Sequence, residues 1–284
     1  MQIARVLRLF PIPLFLHVSA IAADTVIPGP ANPNLAGRAH GYICCGGDAV
    51  PGQSPVAIAG LTIEACGELA FSVTGQVSFS PGSPPGNNPD GDGALDMTNF
   101  GDGISSPMKV RANALVGVFL GDESPTGSET PAQLDFTAGL AFTSVAPAIG
   151  QIFFIGDGLT SDTSASMFDG TPQAFVVPTD ATGLFLGTTD GIGWFNNSGS
   201  FNASVIEIPT SPDEVCGDPA GPEGITATDA LYALRAAVGT ALCRQCVCDV
   251  NRSGSTVATD SLAILRHAVG QDVPLACDCC ADLG

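Results

Sequence analysis

Between residues 60 and 208, apolar and polar positions alternate in short runs separated by Gly, Pro and Asp turns. Phe71, Val73, Val77 and Phe79 fall on one side of a period-two pattern, with Ser72, Thr74, Gln76 and Ser78 on the other, which predicts a half-buried strand. Phe201, Ala203 and Val205 repeat the pattern against Asn202 and Ser204. Residues 114–120, 151–155, 174–177 and 184–186 are further apolar runs of strand length. Many short strands with no helical period between them predict a mainly β chain folded as an antiparallel β-sandwich. Beyond Cys216 the period changes. Residues 227–239 recur as 258–270, nine of thirteen positions identical at a shift of 31, with apolar residues three and four apart and a glycine at each end, Gly239 and Gly270. This predicts two short amphipathic helices with glycine stops, each too short to stand alone and therefore packed as a pair.

The charge balance narrows the partners. The chain has 284 residues with 28 Asp+Glu against 9 Lys+Arg, a net charge of -19, and two of those bases, Arg5 and Arg8, lie close to the N-terminus. Such a field repels phosphate backbones, so nucleic acid and anionic membranes are disfavoured as partners. Arg5 and Arg8 precede an apolar stretch over residues 9–21 that ends in Ala20-Ile21-Ala22, the pattern of a secretory leader over residues 1–22. The stretch is too short for a membrane span and is broken by Pro11 and Pro13. A secreted, extracellular or cell-surface protein is expected.

Ten cysteines in an exported chain read as disulfides. Cys44, Cys45 and Cys66 lie near the start and the other seven between Cys216 and Cys280. The competing reading is zinc on the paired units Cys243-x-x-Cys246 and Cys277-x-x-Cys280, whose separation exceeds the usual ribbon spacing. The domain plan is then a leader (1–22), an N-terminal segment (23–54), the β-sandwich (55–208), a Pro/Ser/Thr linker (209–215) and the helical repeat (216–284).

The segment ahead of the second helix places Asp249, Asn251, Ser253, Ser255 and Asp260 at positions 1, 3, 5, 7 and 12 of an EF-hand-like loop, with Gly254 at the turn. Calcium requires six or more oxygens around a sharp bend, and this spacing supplies them; the alternative is an Asp/Asn/Gly turn that only caps a helix. In the first repeat Asp218 and Asp229 keep positions 1 and 12, but Ala220, Pro222 and Glu223 replace the inner ligands and the glycine, so weak calcium binding or none is expected there. The tandem of loop and ATDALxxLRxAVG-like helix resembles a dockerin. That resemblance implies attachment to a cohesin domain through Thr228 and Arg235 of one repeat and Thr259 and Arg266 of the other.

A second oxygen-rich loop runs from Asp190 through Gly191, Gly193, Trp194, Asn196 and Asn197 into the strand at Phe201. One carboxylate and two neighbouring amides can surround a cation and leave coordination positions open, and Trp194 offers an apolar face to a sugar ring; the alternative is a turn with a buried Trp. The wider segment, residues 184–201 with residues 114–117, is similar to the bacterial calcium-dependent galactophilic lectins (PA-I-like), small β-sandwiches in which calcium bridges protein and galactose hydroxyls. The resemblance implies Asp190, Asn196 and Asn197 as side-chain ligands, carbonyl ligands from Phe79 and from near Trp194, and sugar contacts at Asp190, Trp194 and Asn196. Residues 88–99 also satisfy N/D-x-D-x-D-G, as a further calcium loop or as a solvated turn.

The chain has no GxSxG, HExxH or GKS/T motif, and His40 and His267 are its only histidines beyond the leader. A Ser-His-Asp or His-zinc mechanism therefore lacks parts. The expectation is a secreted, non-catalytic, calcium-dependent binder of carbohydrate, such as a galactose-containing glycan. Its rivals are a structural or adhesive surface protein in which calcium only stiffens loops, and a polysaccharide-degrading glycoside hydrolase component, which needs only two opposed carboxylates.

Overall fold

In the computed structural model the structure describes residues 22–61, 67–79, 86–160, 170–208, 215–221, 224–241, 243–253 and 256–277. Residues 1–21 of the leader, 209–214 of the linker, Cys66, Ser255, Cys279 and Cys280 lie outside the described residues. In chain order the strands are β1 (Ala22–Pro28), β2 (Ile43–Cys44), β3 (Asp48–Ala49), β4 (Val56–Ala57), β5 (Glu68–Ser78), β6 (Asp92–Leu95), β7 (Val110–Ala112), β8 (Leu115–Leu120), β9 (Ser144–Val145), β10 (Ile152–Phe154), β11 (Ala174–Val176), β12 (Gly183–Thr188) and β13 (Ser198–Ile208). Among the described residues three α-helices follow: α1 (Ala227–Ala237), α2 (Gln245–Cys248) and α3 (Ala258–Ala268).

The chain is mainly β. A five-stranded sheet has the order β1-β13-β5-β11-β9 and a four-stranded sheet the order β10-β8-β12-β4, while β2-β3 and β6-β7 form two-stranded sheets. The named strand pairs are antiparallel except β11 with β9. The period-two runs behave as their pattern requires: Phe71, Val73 and Val77 of β5 and Phe201, Ala203 and Val205 of β13 are buried, while Ser72, Thr74 and Asn202 are exposed. Strand β8 is buried along its whole length, which is why it reads as an unbroken apolar run instead of an alternation. Side chains from both larger sheets meet in one core, where Phe175 touches the rings of Phe71, Phe142 and Phe153.

Strand β1 pairs with β13 from Ala22↔Ile206 to Pro28↔Ser200. The N-terminal segment is thus a part of the β unit, where the sequence pattern leaves it separate. Its buried Arg38 also pairs with Asp102 at 2.9 Å. The β-rich unit therefore starts before residue 55, because strand partners are chosen by long-range pairing and not by local period.

Helices α1 and α3 pack on each other, with Ala230, Ala233 and Ile264 in the shared core and Ser261 Oγ donating to the Ala230 carbonyl at 2.7 Å. Gly239 and Gly270, at φ 72° and 80°, stop them. The repeated large apolar residues do not fill this interface. Leu231, Leu234 and Val238, and their counterparts Leu262, Leu265 and Val269, are 40–66% exposed. Ile264 is the large apolar side chain of the two helices that is fully buried, beside Ala230 and Ala233.

A core of this size buries little apolar surface and gains from crosslinks. Cys216 is bonded to Cys277 across 61 residues, and Cys243 to Cys248. One member of each CxxC unit is therefore committed to a disulfide, which counters the zinc reading. Alanine at both Cys216 and Cys277 is expected to cost roughly 2–5 kcal/mol, read as loss of the helical dichroism at lower temperature or denaturant. An unchanged midpoint would show that the crosslink does not hold the pair.

Candidate cation and ligand site

The site is built where β12 ends. Thr188 and Thr189 are fully buried and pinned on several sides. Thr188 Oγ1 donates to the Gly29 carbonyl at 2.7 Å, Thr189 Oγ1 accepts the Ala114 N–H at 2.8 Å and donates to the Arg111 carbonyl. Asp190 thus leaves from a fixed point. Gly193, in the left-handed region at φ 83°, turns the chain into a single 3-10 turn, Trp194–Asn196, and β13 begins two residues later.

Burial drives the Asp190 carboxyl above the ordinary 3.8; hydrogen bonds from the Gly191 N–H, the Asn197 side chain and the Ile192 N–H oppose that rise, and the negative charge of Asp48 adds to it. The Gly191 bond is 2.6 Å. Asn197 is buried and its Nδ2 reaches the Gly29 carbonyl at 3.4 Å. The side-chain oxygens of Asn196 and Asn197 are both buried and neither has a hydrogen-bond partner. A buried carbonyl without a partner costs about 1–3 kcal/mol, and here two of them share a turn with a carboxylate. A hard cation takes such oxygens, so the residues present fit calcium better than a metal that prefers nitrogen or sulfur. Among the described residues there is no group of three or more His, Cys, Asp and Glu side chains placed to hold a metal; this turn offers one carboxylate and two amides.

The expected neighbours divide. The register Ser78↔Ser198 carries Phe79 alongside Asn197, so its backbone lies by the turn while its side chain is exposed. Trp194 corrects the expectation of a sugar-stacking face. Its indole is fully buried, in one apolar cluster with Cys45, Met97, Val110 and Phe154, and Nε1 donates to the Thr188 carbonyl at 2.7 Å. The exposed apolar side chains of this loop are Ile192 and Phe195. The Trp194 carbonyl already accepts the Asn197 N–H at 3.0 Å.

Asp48 and Asn32 are site residues that sequence reasoning missed. Asp48 is fully buried, and its carboxylate accepts the N–H groups of Trp194 and Phe195, both at 3.0 Å, and Asn32 Nδ2 at 3.1 Å. The available signal was the turn Cys44-Cys45-Gly46-Gly47-Asp48, which ends a hairpin on an acid. Cys44 and Cys45 are bonded to each other there.

The polar side chains of residues 88–99 divide between interior and surface. Asn88 and Asp90 are buried, Asp90 Oδ1 accepting the Asp157 N–H at 2.9 Å, whereas Asp92 is exposed on its neighbour Gly93 and Asp96 pairs with Lys109 at 2.7 Å on the surface.

In the second repeat, loop positions 1 and 12 come together inside: Asp249 and Asp260 are buried, Asp260 accepts the Val257 N–H at 2.9 Å, and one of its oxygens is buried without a partner. Burial raises the Asp260 carboxyl, and the Asp249 charge adds to the rise. Asn251 and Ser253 are exposed, Ser253 N–H donating to Asp249 at 2.9 Å. In the first repeat Asp218 and Asp229 are buried close enough to act on each other. Burial and the Asp229 carboxylate raise Asp218; in Asp229 burial is outweighed by bonds from the Thr226 hydroxyl, the Thr226 and Ala220 N–H groups and Asp218, and its carboxyl stays low. Thr228, Arg235, Thr259 and Arg266 are all exposed on the helix pair.

Comparison of the chain with protein-family models and with curated proteins finds no match in either. Among the described residues no helix is long and apolar enough to cross a membrane.

Proposed function

We propose that this chain is a secreted, non-catalytic, calcium-dependent carbohydrate-binding protein: a lectin-like β-sandwich joined to a dockerin-like attachment module. The observation that carries the reading is the pair of buried, unpartnered amide oxygens of Asn196 and Asn197 in one turn with Asp190. Those three side chains would hold calcium, with backbone carbonyls near Phe79 and Trp194 as neighbours. Bound calcium would supply open coordination positions for vicinal sugar hydroxyls. The protein itself orients the oxygens and excludes water beneath them through the Trp194 core. The shared core of the two larger sheets supports the sandwich.

The helix pair supports attachment. It presents two equivalent apolar rows, Leu231-Leu234-Val238 and Leu262-Leu265-Val269, with Thr228, Arg235, Thr259 and Arg266 also exposed. Apolar surface flanked by polar residues suits a protein partner, a cohesin domain in this reading.

A glycan array run with calcium and with EDTA tests the proposal. Binding is expected with calcium, lost with chelator and restored when calcium returns. Calcium uptake without any chelator-sensitive glycan binding would leave only the structural role for the ion, and release of reducing sugars from polysaccharide would favour a hydrolase.

A further inference from the structure

The β2-β3 hairpin meets the candidate turn with three acceptors in succession. The Cys45 carbonyl takes the Gly193 N–H at 3.1 Å, Asp48 Oδ2 takes the Trp194 N–H at 3.0 Å and Asp48 Oδ1 takes the Phe195 N–H at 3.0 Å. Three consecutive donors, ending just before Asn196, therefore close on a hairpin nearly 150 positions away along the chain. Asn32 Nδ2 fixes the same carboxylate from behind at 3.1 Å. The contact is tight: a Cβ on Gly46 would lie 2.5 Å from Ile192 Cγ1, and Cys45 shares a buried cluster with Trp194.

A carboxylate that takes two adjacent backbone N–H groups makes charge-assisted bonds and sets the orientation of the turn. The side chains that follow are then aimed without further rearrangement when a ligand arrives. A buried anion behind the turn also adds its field to that of Asp190, so the two like charges are best relieved by a divalent cation.

We infer that Asp48 is the positioning residue of the cation site, holding the Gly193–Phe195 backbone so that Asn196 and Asn197 present their oxygens with Asp190. This rests on the calcium reading of those three side chains. Outer residues that orient metal ligands, when replaced, weaken metal affinity by about 10–100-fold. The Asp48→Asn variant keeps the shape, removes the charge and turns one acceptor into a donor facing an N–H group.

The chain has one tryptophan, Trp194, so terbium luminescence sensitised by indole reports a calcium-like ion at this turn. In the full-length protein, Asp48→Asn is expected to raise the terbium concentration for half-saturation, and the calcium needed to displace it, by roughly 10–100-fold, measured well below the melting temperature. A residue that only supports the fold would lower the melting temperature and leave these affinities alone. Asn32→Ala keeps the charge and loosens only its support; a loss of affinity smaller than that of Asp48→Asn is expected. It serves if Asp48→Asn does not fold, and wild-type affinity in whichever variant folds overturns the role of Asp48 while the calcium reading stands. If the wild-type protein neither sensitises terbium nor takes up calcium, the calcium reading falls and the role of Asp48 falls with it.

Discussion

Asp190→Asn is expected to weaken calcium binding at the turn by roughly a hundredfold, about 3 kcal/mol, and to abolish glycan binding with it. The substitution is nearly isosteric, so it removes the one carboxylate of the turn and little else. Without calcium the effect on stability has the opposite sense. The folded-state pKa of Asp190 lies above the ordinary 3.8, chiefly because of burial. The stabilising contribution is therefore complete below the unfolded value and lost as pH rises through the folded one. At neutral pH in EDTA the ionised carboxylate opposes folding, and the Asn variant should melt no lower than wild type. With calcium present the order reverses, since the ion binds the ionised form and stabilises only the protein that holds it. Titration calorimetry and paired melting curves in calcium and in EDTA, across pH, decide the matter. A variant with wild-type calcium and glycan affinity would remove Asp190 from the site.

Trp194→Ala is expected to cost about 3–5 kcal/mol of stability, because the side chain is fully buried and its removal also leaves the Thr188 carbonyl without its 2.7 Å donor. Phe195→Ala, one residue on and 59% exposed, is expected to change stability by less than about 0.5 kcal/mol. Denaturant unfolding of the pair separates a core indole from a sugar platform. If Trp194→Ala barely moved the midpoint and lost only glycan binding, the buried placement of the ring would be wrong.

Much of this molecule is local, and that part is legible in the amino acids. Phe71-Val73-Val77 and Phe201-Ala203-Val205 announce their strands because one face of a sheet must be apolar. Gly239 and Gly270 mark the helix ends because they permit the left-handed backbone that other residues resist. Asp190, Asn196 and Asn197 stand out as an oxygen-rich loop because their spacing is short.

Other features follow from how distant segments meet. A Trp within a glycine-rich loop reads equally as a platform or a plug; only its burial in the cluster that also holds Met97, Val110 and Phe154 makes it a plug. The apolar rows of α1 and α3 look like a helix-helix seam, yet Ala230, Ala233 and Ile264 lie in the buried cluster instead, with Ile264 of one helix in the place that Ala233 holds in the other. Nothing in the neighbourhood of Asp48 in the chain points to Trp194, since the hydrogen bonds between them span 146 and 147 positions.

The amino-acid sequence alone thus determined the β-rich character of residues 60–208, the duplicated helices and the oxygen chemistry of the loops, all of which follow from periodicity and residue type within a few positions. Tertiary structure alone decided that β1 joins the five-stranded sheet, that Trp194 turns inward, and that the Asp48 hairpin grips the candidate turn. These depend on which distant surfaces become buried together, a free-energy choice made over the whole fold and invisible to any local pattern.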